Sequence, residues 1–228
     1  MTPNPPAGAP AAPSVKAADA YHHGDLRAAL IVAAREALET MPPEAITLKS
    51  LAARLGVSQP APYRHFHSRE ALLAAVAADG FERFRTQLAQ AAANAPDGGK
   101  FEACCLAYLA FGRANMGVYR LMFASRLVPT SGDGPLGQAA AAAFNFLVDG
   151  LAHRVPPEKV HAMAVWVWST LHGLVMLEAE GLLSARMKDQ ASSVDVVRQM
   201  AEVFASPRGP LTPLPQPPGS AHDDSAHR

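Results

Sequence analysis

Apolar side chains recur along most of this chain at intervals of three and four residues, the period of a helix with one buried face. The first such stretch follows Asp25. Leu26, Leu30, Ala33 and Ala37 share one side with Ala29 and Leu38, and Pro42-Pro43 ends the run. Behind Thr47, a residue suited to an N-cap, Leu48, Leu51, Ala52 and Leu55 fall at i, i+3, i+4 and i+7. Gly56 then marks a left-handed turn that glycine makes without steric cost. Val57 is the apolar plug of that turn, and Ser58 is placed to cap a second helix to about His65. Ser68 caps a long helix reaching about Asn94, with Glu70 in its first turn and Leu72, Leu73, Val76, Phe81, Phe84 and Leu88 along it. The pattern continues over about Lys100 to Asn115, Val118 to Ser125, Leu136 to Arg154, Glu158 to Leu183 and Val194 to Ala205. Breaks are expected at Gly117, Thr130 to Pro135, Pro156-Pro157 and Ser192-Ser193. No run of any length has strand periodicity, so the expected class is all-α.

Two short helices joined by a glycine turn form a helix-turn-helix, whose second helix enters the DNA major groove. The helix before it, Asp25 to Thr40, would pack beneath and hold it rigid. Between Ile46 and Arg69 stand Lys49, Arg54, Arg64 and Arg69, two histidines and no acid. A local excess of cations on a helical corner suits a phosphate-facing surface. The competing reading is an ordinary corner that is basic by chance. The second helix carries Pro60 and Pro62. Proline in a first turn is harmless, because those N–H groups have no partner anyway. Pro62 falls one position too deep behind a Ser58 cap, so either one backbone bond is lost or the turn tightens.

Side-chain chemistry assigns roles along this surface. Gln59 can pair bidentately with adenine, and Ala61 or the rings of Pro60 and Pro62 can touch a thymine methyl. Arg64 can read guanine or clamp phosphate. Thr47, Lys49, Ser58, Tyr63 and His65 suit the positioning contacts to the backbone, while Phe66 reads as a core anchor and His67 as a solvated loop histidine.

TLKSLAARLGVSQPAPYRHFHSREALLAAV resembles the DNA-binding region of the tetracycline-repressor (TetR) family of regulators. The matching features are the cap Thr47, the turn Ala52 to Ser58, Tyr63 with Phe66, and Ser68 to Leu72. Tyr21 to Leu26 looks like the start of the same domain. That stretch and Trp168…His172-Gly173 are similar to the subgroup named for a Trp-His-Gly C-terminal domain. The resemblance covers about residues 21 to 205 and is specific up to residue 80. It implies a long helix linking the DNA reader to a C-terminal bundle, and a four-helix dimer interface built from the last two helices.

Composition narrows the alternatives. Hydrophobic residues make up 49% of the 228 and aromatics only 7%, so close-packed, alanine-rich helices are favoured over strands. Formal net charge is zero, so nucleic-acid binding must come from a local patch rather than bulk charge. Cys104 and Cys105 are the only cysteines, adjacent within a helical pattern; they build no disulfide framework and read as small buried hydrophobes. With no secretory segment evident, the expected compartment is the cytoplasm. The most apolar run, Ala162 to Leu177, reads as too short and too interrupted for a membrane span. Residues 1–20 and 206–228, rich in proline or polar, are expected to be disordered. They bracket a DNA-binding domain at 21–67 and a helical ligand-binding and dimerisation domain at 68–205.

No catalytic or cofactor constellation emerges. Gly132-Asp-Gly-Pro-Leu-Gly137 has dinucleotide-fingerprint spacing but follows no strand and contains Pro135. His22, His23, His222 and His227 specify no metal site. An enzyme, a metal and a cofactor are therefore not expected. A pocket between bundle helices is, and Tyr108, Phe111, Met122, Trp166, Thr170, His172 and Met176 are its candidate lining, with Met116, Tyr119 and Trp168 beside them. For any one of these residues, plain core is the competing reading.

The helix from Glu158 to Leu183 is apolar nearly all round and needs cover on several sides, which suits a subunit interface. The reading that unites these features is a homodimeric regulator of double-stranded DNA that binds a pseudo-palindromic operator. It would act as a repressor released by a small, largely apolar effector of unknown identity. The alternatives are an activator, an architectural or partner-binding module, and a small helical enzyme. With about four phosphates contacted per protomer, affinity should fall about 10³- to 10⁵-fold between about 50 and 200 mM salt.

Overall fold

The computed structural model describes residues 25–96, 98–123, 133–183 and 192–205, all helix, turn or short connection without a strand. The arms before Asp25 and after Ala205, including the Tyr21 stretch and the terminal histidines, lie outside the described residues, as does Ser125.

Helix α1, Leu26–Leu38, is capped by Asp25, whose carboxylate accepts the Ala28 N–H at 2.9 Å. Its face of Ala29, Leu30, Ala33, Ala34, Ala37 and Leu38 is buried. Helix α2, Leu48–Arg54, starts at a reciprocal cap: Thr47 Oγ1 accepts the Ser50 N–H at 3.0 Å, and the Thr47 N–H donates to Ser50 Oγ at 3.2 Å. At its end Gly56 takes φ +67°. The Val57 N–H then reaches Ala52 O at 3.0 Å and the Gly56 N–H reaches Ala53 O at 3.2 Å, closing the last turn.

Helix α3, Arg69–Asn94, organises everything else. Ser68 Oγ accepts the Ala71 N–H at 3.1 Å. Its first half packs on α1, tied by an Arg35–Asp79 ion pair at 3.1 Å, and its second half is wrapped by α4 (Lys100–Ala114), α5 (Met116–Met122) and α6 (Gly134–Ala152). Helices α7 (Val160–Ala179) and α8 (Ser193–Ala205) cover the outer side of α4. Arg113 of α4 grips Glu178 of α7 through two bonds of 2.7 and 2.8 Å and donates to Ser193 Oγ at 2.6 Å. This clamp fixes the start of α8.

Three sequence expectations change. The break before α5 is at Asn115, with φ −134° and ψ 43°, not at Gly117. Asn115 turns its side chain back, Nδ2 donating to Phe111 O at 3.0 Å. Gly117 sits inside α5 because a Cβ there would lie 2.0 Å from Leu38 O, the carbonyl at the end of α1. Second, Gly134–Gly137 form the first turn of α6, with Leu136 and Gly137 buried, so the fingerprint-like spacing has a structural use.

Third, the helix over Pro157–Ala179 spans 23 residues at mean hydropathy 1.4, long and apolar enough to cross a membrane. The run Ala162 to Leu177 alone is too short and too interrupted for that, and the turn over Pro157–Lys159 supplies the added length. Here Val160, Ala164, Val167, Leu171 and Val175 of that helix pack into the bundle, leaving much of the opposite side uncovered.

Candidate nucleic-acid interface and ligand cavity

Between Val57 and Phe66 the chain does not form the expected α-helix. Residues Ala61–Arg64 make a 3-10 helix instead, with Tyr63 N–H donating to Pro60 O at 3.2 Å and His65 N–H to Pro62 O at 3.0 Å. The cause is the proline pair. Neither Pro60 nor Pro62 has an N–H to give, so the four-residue ladder cannot start and the turn tightens. Ser58 supplies no side-chain cap; its carbonyl accepts the Ala61 N–H at 3.0 Å.

The tightened element is nevertheless firmly seated. Pro62 and Phe66 are buried against α1 and α2, while Ser58, Gln59, Pro60, Tyr63, Arg64 and His65 are exposed and Ala61 half-buried. Tyr63 is 56% exposed, a large aromatic held outward beside Arg64. Thr47 and Lys49 at the start of α2 are exposed as well, although the Thr47 hydroxyl is engaged in its cap.

The cations divide into two groups. Arg54 pairs with Glu36 of α1 at 2.6 Å, and Arg69 pairs with Glu70 at 3.1 Å while donating to Glu44 O. Lys49 and Arg64 remain in the exposed set, and Arg27 joins them, its guanidinium 5.3 Å above the Phe66 ring. Sequence reasoning missed Arg27 because only the fold brings α1 beside the end of the tightened turn. If Arg64 reads a guanine, Arg64→Ala should cost about 1–3 kcal/mol and relax preference at one base. An equal loss on every duplex, measured by titration against operator variants, would make it a phosphate clamp.

The bundle encloses a cavity of about 830 Å³, within the range that holds drug-sized ligands. Helix α3 contributes Phe81, Phe84, Leu88 and Ala92, and α4 contributes Phe101, Cys104, Cys105 and Tyr108. From α6 come Ala140, Ala143, Phe144 and Leu147; Met122, Phe123, Trp168 and Leu171 close the inner end. Both cysteines are free. Burial pushes the Cys105 thiol up to about 12 and raises Cys104, so both are neutral thiols rather than nucleophiles.

Of the candidate lining residues, Tyr108 and Met122 stand in this wall, with Trp168. Phe111, Trp166, Thr170, His172 and Met176 do not. Phe111 is fully buried against Phe84. Trp166 lies 42% exposed on the outer side of α7 near Phe204, and Thr170 donates to Trp166 O at 2.9 Å on the same flank. A helix apolar on every side gives no stripe from which to choose its cavity face. The informative signal was the alanine run of α6, whose small side chains leave the space.

His172 stands behind the wall at the end of a polar relay. Tyr108 Oη and Tyr119 Oη are 2.9 Å apart, and Tyr119 Oη is 2.8 Å from His172 Nδ1. The histidine is thus satisfied by a phenol. Burial lowers its pKa below the usual 6.5 and raises both tyrosines, so all three are neutral near pH 7. An unfolded chain binds that proton at higher pH than the folded one. Stability should therefore fall as pH drops through about 6.5 toward the folded value. Thermal melts of the protein and of His172→Gln between about pH 8 and 5 should diverge in that window.

Among the described residues no cluster of three or more metal-ligating side chains exists. Residues 30–76 match the family described as bacterial regulatory proteins, tetR family, and residues 101–201 match the tetracyclin repressor-like C-terminal domain. No curated protein matches. A solved protein of unknown function from Rhodococcus sp. RHA1 is 30% identical over 82% of this chain and 97% of its own, with a TM-score of 0.68. A tetR-family bacterial regulatory protein from Rhodococcus RHA1 is 17% identical over 78% and 94%, TM-score 0.56. A TetR variant from Acinetobacter baumannii AYE in complex with minocycline is 20% identical over 78% and 97%, TM-score 0.52.

Proposed function

Because the chain belongs to the tetracycline-repressor family of DNA-binding transcriptional regulators, which are not enzymes, we propose that it is a homodimeric repressor released from a pseudo-palindromic operator by a small, largely apolar effector. What supports this reading is that α3 packs on α1, which with α2 seats the exposed Gln59–Arg64 turn, and lines the cavity along its second half. A ligand in the cavity and a duplex at the turn thus act on helices packed directly against one another. To release DNA, the effector must bind the unattached conformation better than the DNA-bound one, since equal affinity shifts nothing. The Acinetobacter relative bound to minocycline lends the fold a precedent for holding a small molecule.

Selecting fragments from random duplex DNA tests this directly. The expected outcome is an inverted repeat protected over both halves, with binding lost on adding the effector. A lone monomer without preference among duplexes would sink it.

An exposed apolar flank supports the homodimer. Val165, Trp166 and Leu177 on α7 and Val203 on α8 are exposed large hydrophobics, with Ala162, Ser169 and Gly173 between them. Nothing lies within 4 Å of a Cβ built on Gly173, so a partner helix can approach closely there. Large apolar side chains flanking small ones suit a helix-on-helix interface between identical subunits. Trp166→Glu should yield monomers in sedimentation equilibrium and weaken operator binding by about 10²-fold, the advantage of joining two half-sites.

A further inference from the structure

The two ends of the cavity differ in chemistry. Its inner end, at Phe81, Met122, Phe123, Trp168 and Leu171, carries no charged side chain. Its outer end lies where α6 finishes and α4 begins, and there Lys100, His153 and Arg154 meet a single acid, Asp149. The Arg154 guanidinium lies 5.9 Å over the ring of Phe101, a wall residue, so a cation stands at the border of greasy and wet surface. In between, polar partners are scarce. The Tyr108 hydroxyl is already engaged by Tyr119, and the thiols are neutral.

We propose that the ligand of this cavity is an anionic amphiphile: a long apolar body lying along α3, with a carboxylate-like head at the Lys100–His153–Arg154 mouth. The inference deepens the effector reading above and rests on it. A sugar or nucleotide would bury many hydrogen-bonding groups against walls that cannot answer them, which is costly. A cationic amphiphile would bring its head to a mouth already rich in positive charge. An anion gains charge-assisted hydrogen bonds there. Lys100 and Arg154 are already engaged, so the head shares their donors rather than filling empty ones. From Phe81 to Ala92 the wall follows α3 for about 16 Å at 1.5 Å per residue, a span that suits an extended fatty chain.

Tetradecanoate, tetradecanol and tetradecylamine, kept below the concentrations at which they aggregate, form a matched probe set. Binding to the full chain is read by tryptophan fluorescence, since Trp168 lines the wall, and by calorimetry. The acid should bind about 10-fold more tightly than the alcohol, and the amine weakest. Lys100→Met with Arg154→Met should remove about 10-fold of the acid's affinity and shift the alcohol less than about 2-fold, while Asp149→Asn should strengthen the acid about 2-fold. Ala143→Phe, checked for folding by circular dichroism, should weaken acid and alcohol together by filling the body of the site. Equal binding of acid and alcohol, a preference for the amine, no binding by any probe, or an unchanged acid affinity in Ala143→Phe would overturn the proposal. Operator release is scored separately. If the acid binds as expected without releasing DNA, the repressor reading fails and the ligand class stands. If only neutral compounds bind and release DNA, the reverse holds.

Discussion

Raising salt from about 50 to about 200 mM is expected to weaken operator binding by about 10³-fold. The figure follows from the charges the fold leaves exposed. Sequence alone offers Lys49, Arg54, Arg64 and Arg69, but Glu36 holds Arg54 and Glu70 holds Arg69. Arg27 takes a place beside Phe66 instead. Three cations per protomer make six in a dimer, and at about 0.9 released counterions each the logarithmic slope is about −5. Fluorescence anisotropy on a labelled operator at several salt concentrations measures it directly. A flat response would show that this surface does not face phosphates. A slope near about −9 would mean that Arg54 and Arg69 abandon their acids for the backbone, bringing the dimer's count to ten. Those pairs are exposed and individually worth little, so the duplex can compete for them.

The second large effect is expected at Gly117. Glycine inside a helix normally costs about 0.5–1 kcal/mol relative to alanine, so Gly117→Ala would ordinarily stabilise. Here a Cβ would stand 2.0 Å from Leu38 O and 2.5 Å from its carbonyl carbon. Backbone atoms at the end of a helix have no rotamer with which to yield. Gly117→Ala is therefore expected to destabilise by about 3 kcal/mol or more, chiefly by prising α5 from α1. Thermal unfolding reports the loss, and operator affinity should fall with it, because α1 supports the reading turn. A rise in melting temperature would show that α5 does not seat on α1 this closely.

Much of the fold was legible because local signals agreed with tertiary packing. Thr47 and Ser68 cap the helices their positions suggested, and Gly56 takes the left-handed turn. The misread boundary at Gly117 has a clear physical source. Glycine served close approach to another helix there, a demand that no local pattern carries. The proline pair was read as a possible tightening, and a 3-10 turn is what Pro60 and Pro62 permit. Of the cavity, the sequence yielded Tyr108, Met122 and Trp168 but not Phe81, Phe84, Ala140 or Phe144. Those residues look like ordinary core on α3 and α6, and an empty space is set by what four helices leave between them. Likewise, pairing of Arg54 with Glu36 depends on how α1 and α2 meet, so a charge count along the chain overstates the free patch.

The length of α3 has a mechanical consequence. Its 26 residues form a rod of about 39 Å, with the cavity along its second half and its first half packed on α1, the helix that helps seat the reading turn. As a lever, it magnifies: a tilt of about 5° displaces the far end by about 3 Å, close to the 3.4 Å step between stacked base pairs. A ligand need only nudge the bundle slightly to put two such arms out of register with the groove.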